Sequence, residues 1–375
     1  MQPALVLGIM SGTSLDGVDY ALCEIRPGRI RLRELWSARF PRPLQRRLHD
    51  AAGGASKSWE LAQLHHDLGR FYATQAQPRV KQSRVELVGL HGQTIFHQPR
   101  RPAPATFQLG EPAYLADTLR VPVVSNFRAA DVAAGGQGAP LATMFHQLVF
   151  GQRGLHVCVN NLGGISNVTS IDLRRGAEPE MLAFDTGPAN VLLDLAASHF
   201  SQGKLACDRN GAWAARGRLH EGLLREWLRH PFFRSRPPKS TGRELFGEPF
   251  FQTTLAQARR ARLTKFDVLT TFTALTARSL ALNYRLHLPA PPERVVLAGG
   301  GAANPTLRRM ITEELLLLDS KTRVQTSDEL GWPMQSIEPA AFALLAWRRW
   351  KNRPGNLPET TGATRAALLG QISSP

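Results

Sequence analysis

The chain has 375 residues, 43% of them apolar and 20% charged, and a formal net charge of +16. That length supports a sizeable core and two domains, and the composition excludes a disordered chain. No apolar run reaches the ~18 residues of a membrane-spanning helix, the N-terminus enters a strand without a basic leader, and Cys23, Cys158 and Cys207 are too scattered for a disulfide framework or a zinc knuckle.

A soluble, cytoplasmic protein is therefore expected, with free thiols, two of them on core strands. The basic residues occur as scattered pairs, from Arg46-Arg47 to Arg348-Arg349, rather than as one run interleaved with aromatics. That argues against nucleic acid as a partner and for a field that attracts nucleotides and acidic sugars.

Residues 4–7 and 18–25 predict two strands joined by the turn Gly8-Ile9-Met10-Ser11-Gly12-Thr13-Ser14-Leu15-Asp16-Gly17. Its glycines, with Ser11, Thr13 and Ser14, let amide and hydroxyl donors close on an anion, which suggests a phosphate cradle. It is no P-loop, lacking the Lys-Ser/Thr pair that opens a helix, and no dinucleotide fingerprint, because a strand follows. Residues 29–40 predict a third strand ended by Pro41-Arg42-Pro43, and Leu61, Leu64, Leu68 and Phe71 recur at helical spacing. Residues 85–90 predict a buried strand delivering His91-Gly92-Gln93-Thr94 to its carboxyl end, where open α/β sheets bind ligands. A plain turn with a hydrogen-bonded His reads equally well.

Residues 121–126 predict another strand, followed by Arg128, Asp131 and a glycine-dense loop at 134–140 that suits a ligand contact or a domain connection. A helix at 141–150 closes the first domain. The second half restarts with the same device: a strand at 155–159, a Gly/Ser/Asn turn at 160–167 and a strand at 168–171. Two such hairpins, each opening half of an α/β chain, suggest related lobes gripping a nucleotide.

A strand at 181–184 ends at Asp185, just before a helix at 191–200, so Asp185 reads either as a carboxylate placed for chemistry or as the helix N-cap. A helix at 219–228 follows, then the loop 236–244, undecided between ligand contact and stiff turn, and a long buried helix at 266–286. The strand at 294–298 runs into Gly299-Gly300-Gly301-Ala302-Ala303-Asn304-Pro305 and a helix, a third glycine turn that admits a flat ring or a phosphate. A helix at 338–350 packs back on the first domain, giving domains 1–150 plus 338–375 and 151–337, and the tail after Asn352 reads as loose.

Taken in order, segments 8–19, 91–94, 123–140, 161–167, 185–190, 236–244 and 299–305 resemble the anhydro-N-acetylmuramic acid kinase family, over about residues 5–350. The resemblance implies an α/β fold of two ribonuclease-H-like lobes with an ATP cleft between them, the acetate and sugar kinase/Hsp70/actin fold. It implies ATP and Mg2+. Gly12, Thr13, Ser14, Leu15, Asp16, Gly17, Val18 and Asp19 match the first phosphate motif, Gly163 and Gly164 the second, and Gly299, Gly300, Gly301 and Asn304 the adenosine motif. The metal falls to Asp19 or Asp16. The implied reaction opens 1,6-anhydro-N-acetylmuramic acid with water and phosphorylates O6, giving N-acetylmuramic acid 6-phosphate in peptidoglycan recycling.

By the same resemblance Asp185 is the general base for the water, and His91, Gln108, Arg128, Asp131 and Glu338 line the sugar pocket, with Arg128 toward the lactyl carboxylate. A homodimer is also implied. The chain departs from the family pattern at Gln335, where Asp is usual, and at Pro339, where Ala is usual, so sugar contacts differ in that corner. The competing readings are a kinase of this fold with another sugar acceptor and a non-enzymatic, ATP-switched pair of lobes.

Overall fold

The computed structural model describes residues 2–12, 14–98, 104–176 and 178–375. The chain divides into two units at 149/150 and 334/335, the first built from both ends of the chain. The first unit holds β1 (Ala4–Ser11), β2 (Gly17–Arg26), β3 (Arg29–Arg39), α1 (Arg42–Ala52), α2 (Ser58–Val80), β4 (Leu87–Gln98), β5 (Ala105–Leu109), α3 (Ala113–Leu119), β6 (Val123–Ser125), α4 (Phe127–Ala133) and α5 (Thr143–Phe150). The second holds β7 (His156–Leu162), β8 (Ile165–Asp172), β9 (Glu180–Pro188), α6 (Asn190–Phe200), α7 (Glu221–Trp227), α8 (Arg243–Phe246), α9 (Glu248–Arg260), α10 (Lys265–His287), β10 (Arg294–Ala298), α11 (Pro305–Leu318) and β11 (Arg323–Thr326). The chain then returns to the first unit with α12 (Ile337–Trp350), α13 (Pro358–Thr361) and β12 (Gln371–Ser373).

The sheet of the first unit runs β12-β6-β4-β1-β2-β3, with β5 on β4, and that of the second runs β11-β10-β7-β8-β9. In each, an antiparallel meander of three strands continues into two strands parallel to the first of them. The same order and the same strand senses appear twice. This is the internal duplication expected from the two glycine hairpins, in the ribonuclease-H-like form that the family resemblance implies.

Sheets covered on both faces need continuous apolar strands rather than alternating ones. Val6, Leu7 and Ile9 of β1 are accordingly fully buried. One face carries Leu64, Leu68, Tyr72 and Ala76 of α2, packed with Leu7, Ile9 and Tyr20. On the other face α12 lies on β1 and β4, and glycine decides how closely. A Cβ on Gly8 would lie 1.8 Å from the Pro339 carbonyl oxygen, and one on Gly89 would lie 2.3 Å from that of Phe342. Gly8 is thus a mid-strand packing residue. Residues 8–11 complete β1, and the expected phosphate turn shrinks to residues 12–16.

In α10 Leu269, Phe272, Leu275 and Leu280 are at most 1% exposed. Its buried hydroxyls at Thr270, Thr271 and Thr273 return to the carbonyls four residues back, so they need no other partner.

Four expectations need correction. Pro41 caps α1 and Pro43 sits in its first turn, where a missing N–H costs nothing, so the prolines that end the third strand also start a helix. The segment 127–133, read only as bordering a loop, is α4. His91-Gly92-Gln93-Thr94 lies inside β4, because β5 pairs with β4 and extends the strand past the parallel sheet. The tail is ordered: β12 pairs with the β6 edge, and Asn356 and Thr361 bond to buried Asp131. Cys23 and Cys158 are buried free thiols on β2 and β7, and Cys207 is exposed. Among the described residues no helix is long and apolar enough to cross a membrane.

Candidate active site

In the first unit, the turn between β1 and β2 is pinned from below. The buried Ser11 hydroxyl reaches the Gly17 carbonyl (3.0 Å) and Gln93 Oε1, and Gln93 Nε2 donates to the Gly12 carbonyl at 3.0 Å. Thr13 lies outside the described residues. Leu15 takes a left-handed φ of 58°, at a cost of about 1 kcal/mol, and its side chain is buried, as is that of Val18. Both therefore support the turn through the core. Ser14 bonds to Asp16, and Ser37, the cross-strand partner of Asp19, donates to Asp19 Oδ1.

Asp19 has two carboxylate neighbours here, Asp16 and Glu338. Burial raises the pKa of Asp19, the Ser37 hydroxyl opposes it, and Asp16 adds to it. Glu338, in the first turn of α12, is reached by solvent yet closely surrounded by protein. Desolvation of the carboxyl by the protein around it raises its pKa, Arg128 opposes, and Asp19 adds. Such mutual repulsion is what a bound cation relieves. Among the described residues no three His, Cys, Asp or Glu side chains converge to hold a metal by themselves. One or two carboxylates completed by phosphate oxygens and water is, however, the usual way Mg2+ is held, so Asp19 and Asp16 fit it.

His91, 3% exposed, lies with Nδ1 2.8 Å from the Gly92 carbonyl, and its Nε2 accepts from Arg128 Nε at 3.0 Å. Burial and Arg128 hold the imidazole well below its usual pKa. The ring is therefore neutral, with the proton on Nδ1. Arg128 Nη1 donates to the Gly138 carbonyl at 2.7 Å, and Nη2 has no hydrogen-bond partner among the described residues. Burial lowers the guanidinium pKa to about 10, with Glu338 and Asp131 opposing. It stays charged, oriented and available to an anion.

Asp131 differs. It is fully buried, with Oδ2 accepting from Gly138 N and Oδ1 from Asn356 Nδ2 and Thr361 Oγ1, each at 2.7 Å. It braces the 134–140 loop against the C-terminal segment rather than facing a ligand. Gln108, on β5, donates to Thr106 Oγ1 at 2.8 Å.

In the second unit, β9 continues to Pro188, so Asp185 is a strand residue, and Ala189 is the N-cap of α6. The N-cap reading of Asp185 is excluded. The helix's first amides instead bond to the glycine turn: Asn190 N to the Gly163 carbonyl at 3.1 Å, and Ala189 and Val191 N to that of Gly164 at 2.9 and 3.1 Å. The 236–244 loop, which the sequence reads equally as ligand contact or stiff turn, docks on Asp185. Asp185 N donates to the Lys239 carbonyl at 3.1 Å, and Thr241 N donates to Asp185 Oδ2 at 2.7 Å. Burial pushes the carboxyl up to about 7, Glu244 adds, and the Thr241 amide and Lys239 oppose. Thr241 Oγ1 is buried with no hydrogen-bond partner among the described residues.

The second and third glycine turns form one surface. Gly299 has φ 76°, and a Cβ there would lie 2.2 Å from Asn161 Oδ1, while one on Gly301 would lie 2.8 Å from Leu162 Cβ. Gly300 has open space at its Cβ position. Asn304, matched to the adenosine motif, also caps α11, its Oδ1 accepting from Leu307 N at 3.1 Å.

Sequence reasoning missed Ser37, Lys239 and Thr241 as site residues, and it quoted Gln93 only within a cluster. Lys239 and Thr241 sit in the flagged Pro-Pro-Lys-Ser-Thr-Gly loop, a signal that was present. Ser37 reaches Asp19 only through the β2/β3 register, which leaves no local signature.

The sequence model described as anhydro-N-acetylmuramic acid kinase matches residues 4–375. A curated anhydro-N-acetylmuramic acid kinase of Acaryochloris marina is 42% identical over 378 residues, covering 98% of this chain and 99% of the relative. One of Crocosphaera subtropica is 41% identical over 381 residues, covering 98% of each. Among solved structures, the ADPNP-bound activator of 2-hydroxyisocaproyl-CoA dehydratase from Clostridium difficile is similar at 12% identity and TM-score 0.45, covering 93% of this chain and 96% of that one.

Proposed function

The chain belongs to the anhydro-N-acetylmuramic acid kinase family and is a kinase of cell-wall recycling; from that premise we propose that it couples phosphoryl transfer from ATP to hydrolytic opening of 1,6-anhydro-N-acetylmuramic acid. The observation that supports the coupling is Asp185, a carboxyl pushed up to about 7 by burial. A base for water works best with a pKa near the operating pH, because it is then both ionised and able to hold a proton.

Asp185 takes one proton from water as the water oxygen bonds to the anomeric carbon. The bond from that carbon to O6 breaks, O6 attacks the γ-phosphorus of ATP, and ADP leaves. The proton on Asp185 returns to solvent. The product is N-acetylmuramic acid 6-phosphate, and every atom of water is accounted for. Mg2+, for which Asp19 and Asp16 are the candidate ligands, supplies neutralisation of the phosphate charge.

Each unit has its own task. In the first, Arg128, oriented by His91, pairs with the lactyl carboxylate, and Glu338 positions the sugar. In the second, Gly163 and Gly164 approach the phosphates, and Gly299, Gly300 and Gly301 admit the adenosine. Pro339 suits the first turn of α12, since its absent N–H lies where no helical bond forms. We extend the reading to a cytoplasmic homodimer; sedimentation showing only monomer at micromolar concentration contradicts that part.

Mass spectrometry of the product tests the coupling. A gain of one water plus one phosphoryl group is expected. A gain of the phosphoryl group alone overturns it, because the anhydro ring then survived and another hydroxyl was phosphorylated.

A further inference from the structure

The Lys239 ammonium is held in an unusual place for a cation. The residue is 8% exposed, and Nζ donates to the Phe232 carbonyl at 3.0 Å. It lies 4.6 Å from the centre of the Phe232 ring and 5.9 Å from that of Phe184, the residue just before Asp185 on β9. One carbonyl and two aromatic faces do not balance a buried charge. The carboxylate that acts on it is Asp185. The backbone of the same residue accepts from Asp185 N, so the ammonium and the carboxylate are joined to one short piece of chain.

We propose that Lys239 is a positioning residue whose buried positive charge draws Asp185 toward its ionised form, and that Glu244 opposes it from the other end of the same loop. This rests on the reading of Asp185 as the base. Glu244 is exposed, and its carboxylate folds over Gly242, where a Cβ would meet Oε2 at 2.4 Å. Asp185 also receives the Thr241 amide. On the α10 side stands His287, its ring 5.6 Å from that of Phe184. Burial, then Lys239 and Arg236 keep that imidazole below its usual pKa, so it adds no charge at neutral pH. Burial raises the carboxyl most and the Thr241 amide lowers it, and two opposed charges on one loop then adjust the working range of the base. An opposite charge a few ångströms away lowers a carboxyl pKa by about 1–3 units, and a like charge raises it.

The test is the pH profile of kcat with the anhydro sugar and ATP saturating. Lys239→Met keeps the stem and removes the charge. Its acid limb is expected to move to higher pH by about one unit or more, and Lys239→Arg keeps the limb in place. Glu244→Gln, at an exposed position that does not threaten folding, is expected to move the limb to lower pH. An acid limb unchanged in Glu244→Gln and in folded Lys239→Met, with kcat lowered equally at every pH, overturns the inference. If Lys239→Met does not fold, Glu244→Gln decides alone. Asp185→Asn separates the two levels of the argument. If it turns over normally, the base reading has failed and this inference with it. If it is inactive while both charge variants leave the limb in place, only this inference has failed.

Discussion

Replacing Asp185 by Asn should abolish turnover and stabilise the protein, two effects with one cause. In the folded chain the carboxyl is raised from 3.8 to about 7, chiefly by burial. Below pH ~4 the carboxyl is protonated in both folded and unfolded states, and the full stability is present. As the pH rises toward 7 the unfolded state has already released the proton that the folded state still holds. Stability falls through that window and is flat above it. A shift of about 3 units at 1.36 kcal/mol per unit corresponds to at most about 4 kcal/mol. Asn cannot ionise, and its side-chain oxygen can still accept from Thr241 N. The variant should therefore gain up to about 4 kcal/mol over the parent at pH 8 and almost nothing below pH 4. Urea titrations of both proteins at several pH values measure the gap. A variant equally stabilised at every pH, or destabilised at pH 8, refutes a desolvated carboxylate at this position.

Three further outcomes follow from close contacts. Gly89→Ala places a Cβ 2.3 Å from the Phe342 carbonyl; it should cost about 1–3 kcal/mol of stability and, by lifting the helix that carries Glu338, raise the sugar KM, as unfolding curves and steady-state kinetics will show. His91→Leu strands Arg128 Nε without its acceptor and frees the guanidinium to turn; the sugar KM should rise by roughly tenfold or more, with the ATP KM unchanged. Gly299→Ala drives a Cβ to 2.2 Å from Asn161 Oδ1 at a φ of 76°; nucleotide affinity, read by calorimetry, should fall while sugar affinity holds.

The two hairpins were legible because glycine, serine and asparagine between apolar runs leave a local trace, and their repetition gave the duplicated fold. The long helix from Lys265 to His287 and the strand from Arg294 to Ala298 were equally plain. Other features depended on partners far along the chain. Gly8 looks like a turn glycine until Pro339 is placed on it. Asp131 looks like a ligand contact until Asn356 and Thr361, more than 200 residues away, take its oxygens. His91 on β4 accepts a hydrogen bond from Arg128 on α4, a pairing between residues 37 apart that leaves no local trace. The N-cap reading of Asp185 failed because β9 runs three residues past it. Asn304, before a Pro at a helix start, carries in the sequence the mark of an ordinary cap as well as of the adenosine motif.

In the proposed reaction one enzyme adds water to the sugar and phosphate to its freed O6, with Asp185 as the base. Turnover in oxygen-18 water, followed by fragmentation of the product, tests it most directly. The label is predicted at the anomeric hydroxyl of every phosphorylated molecule, with none formed by Asp185→Asn. Phosphorylated product without label at that position, or labelled product made at the normal rate by the variant, would contradict it.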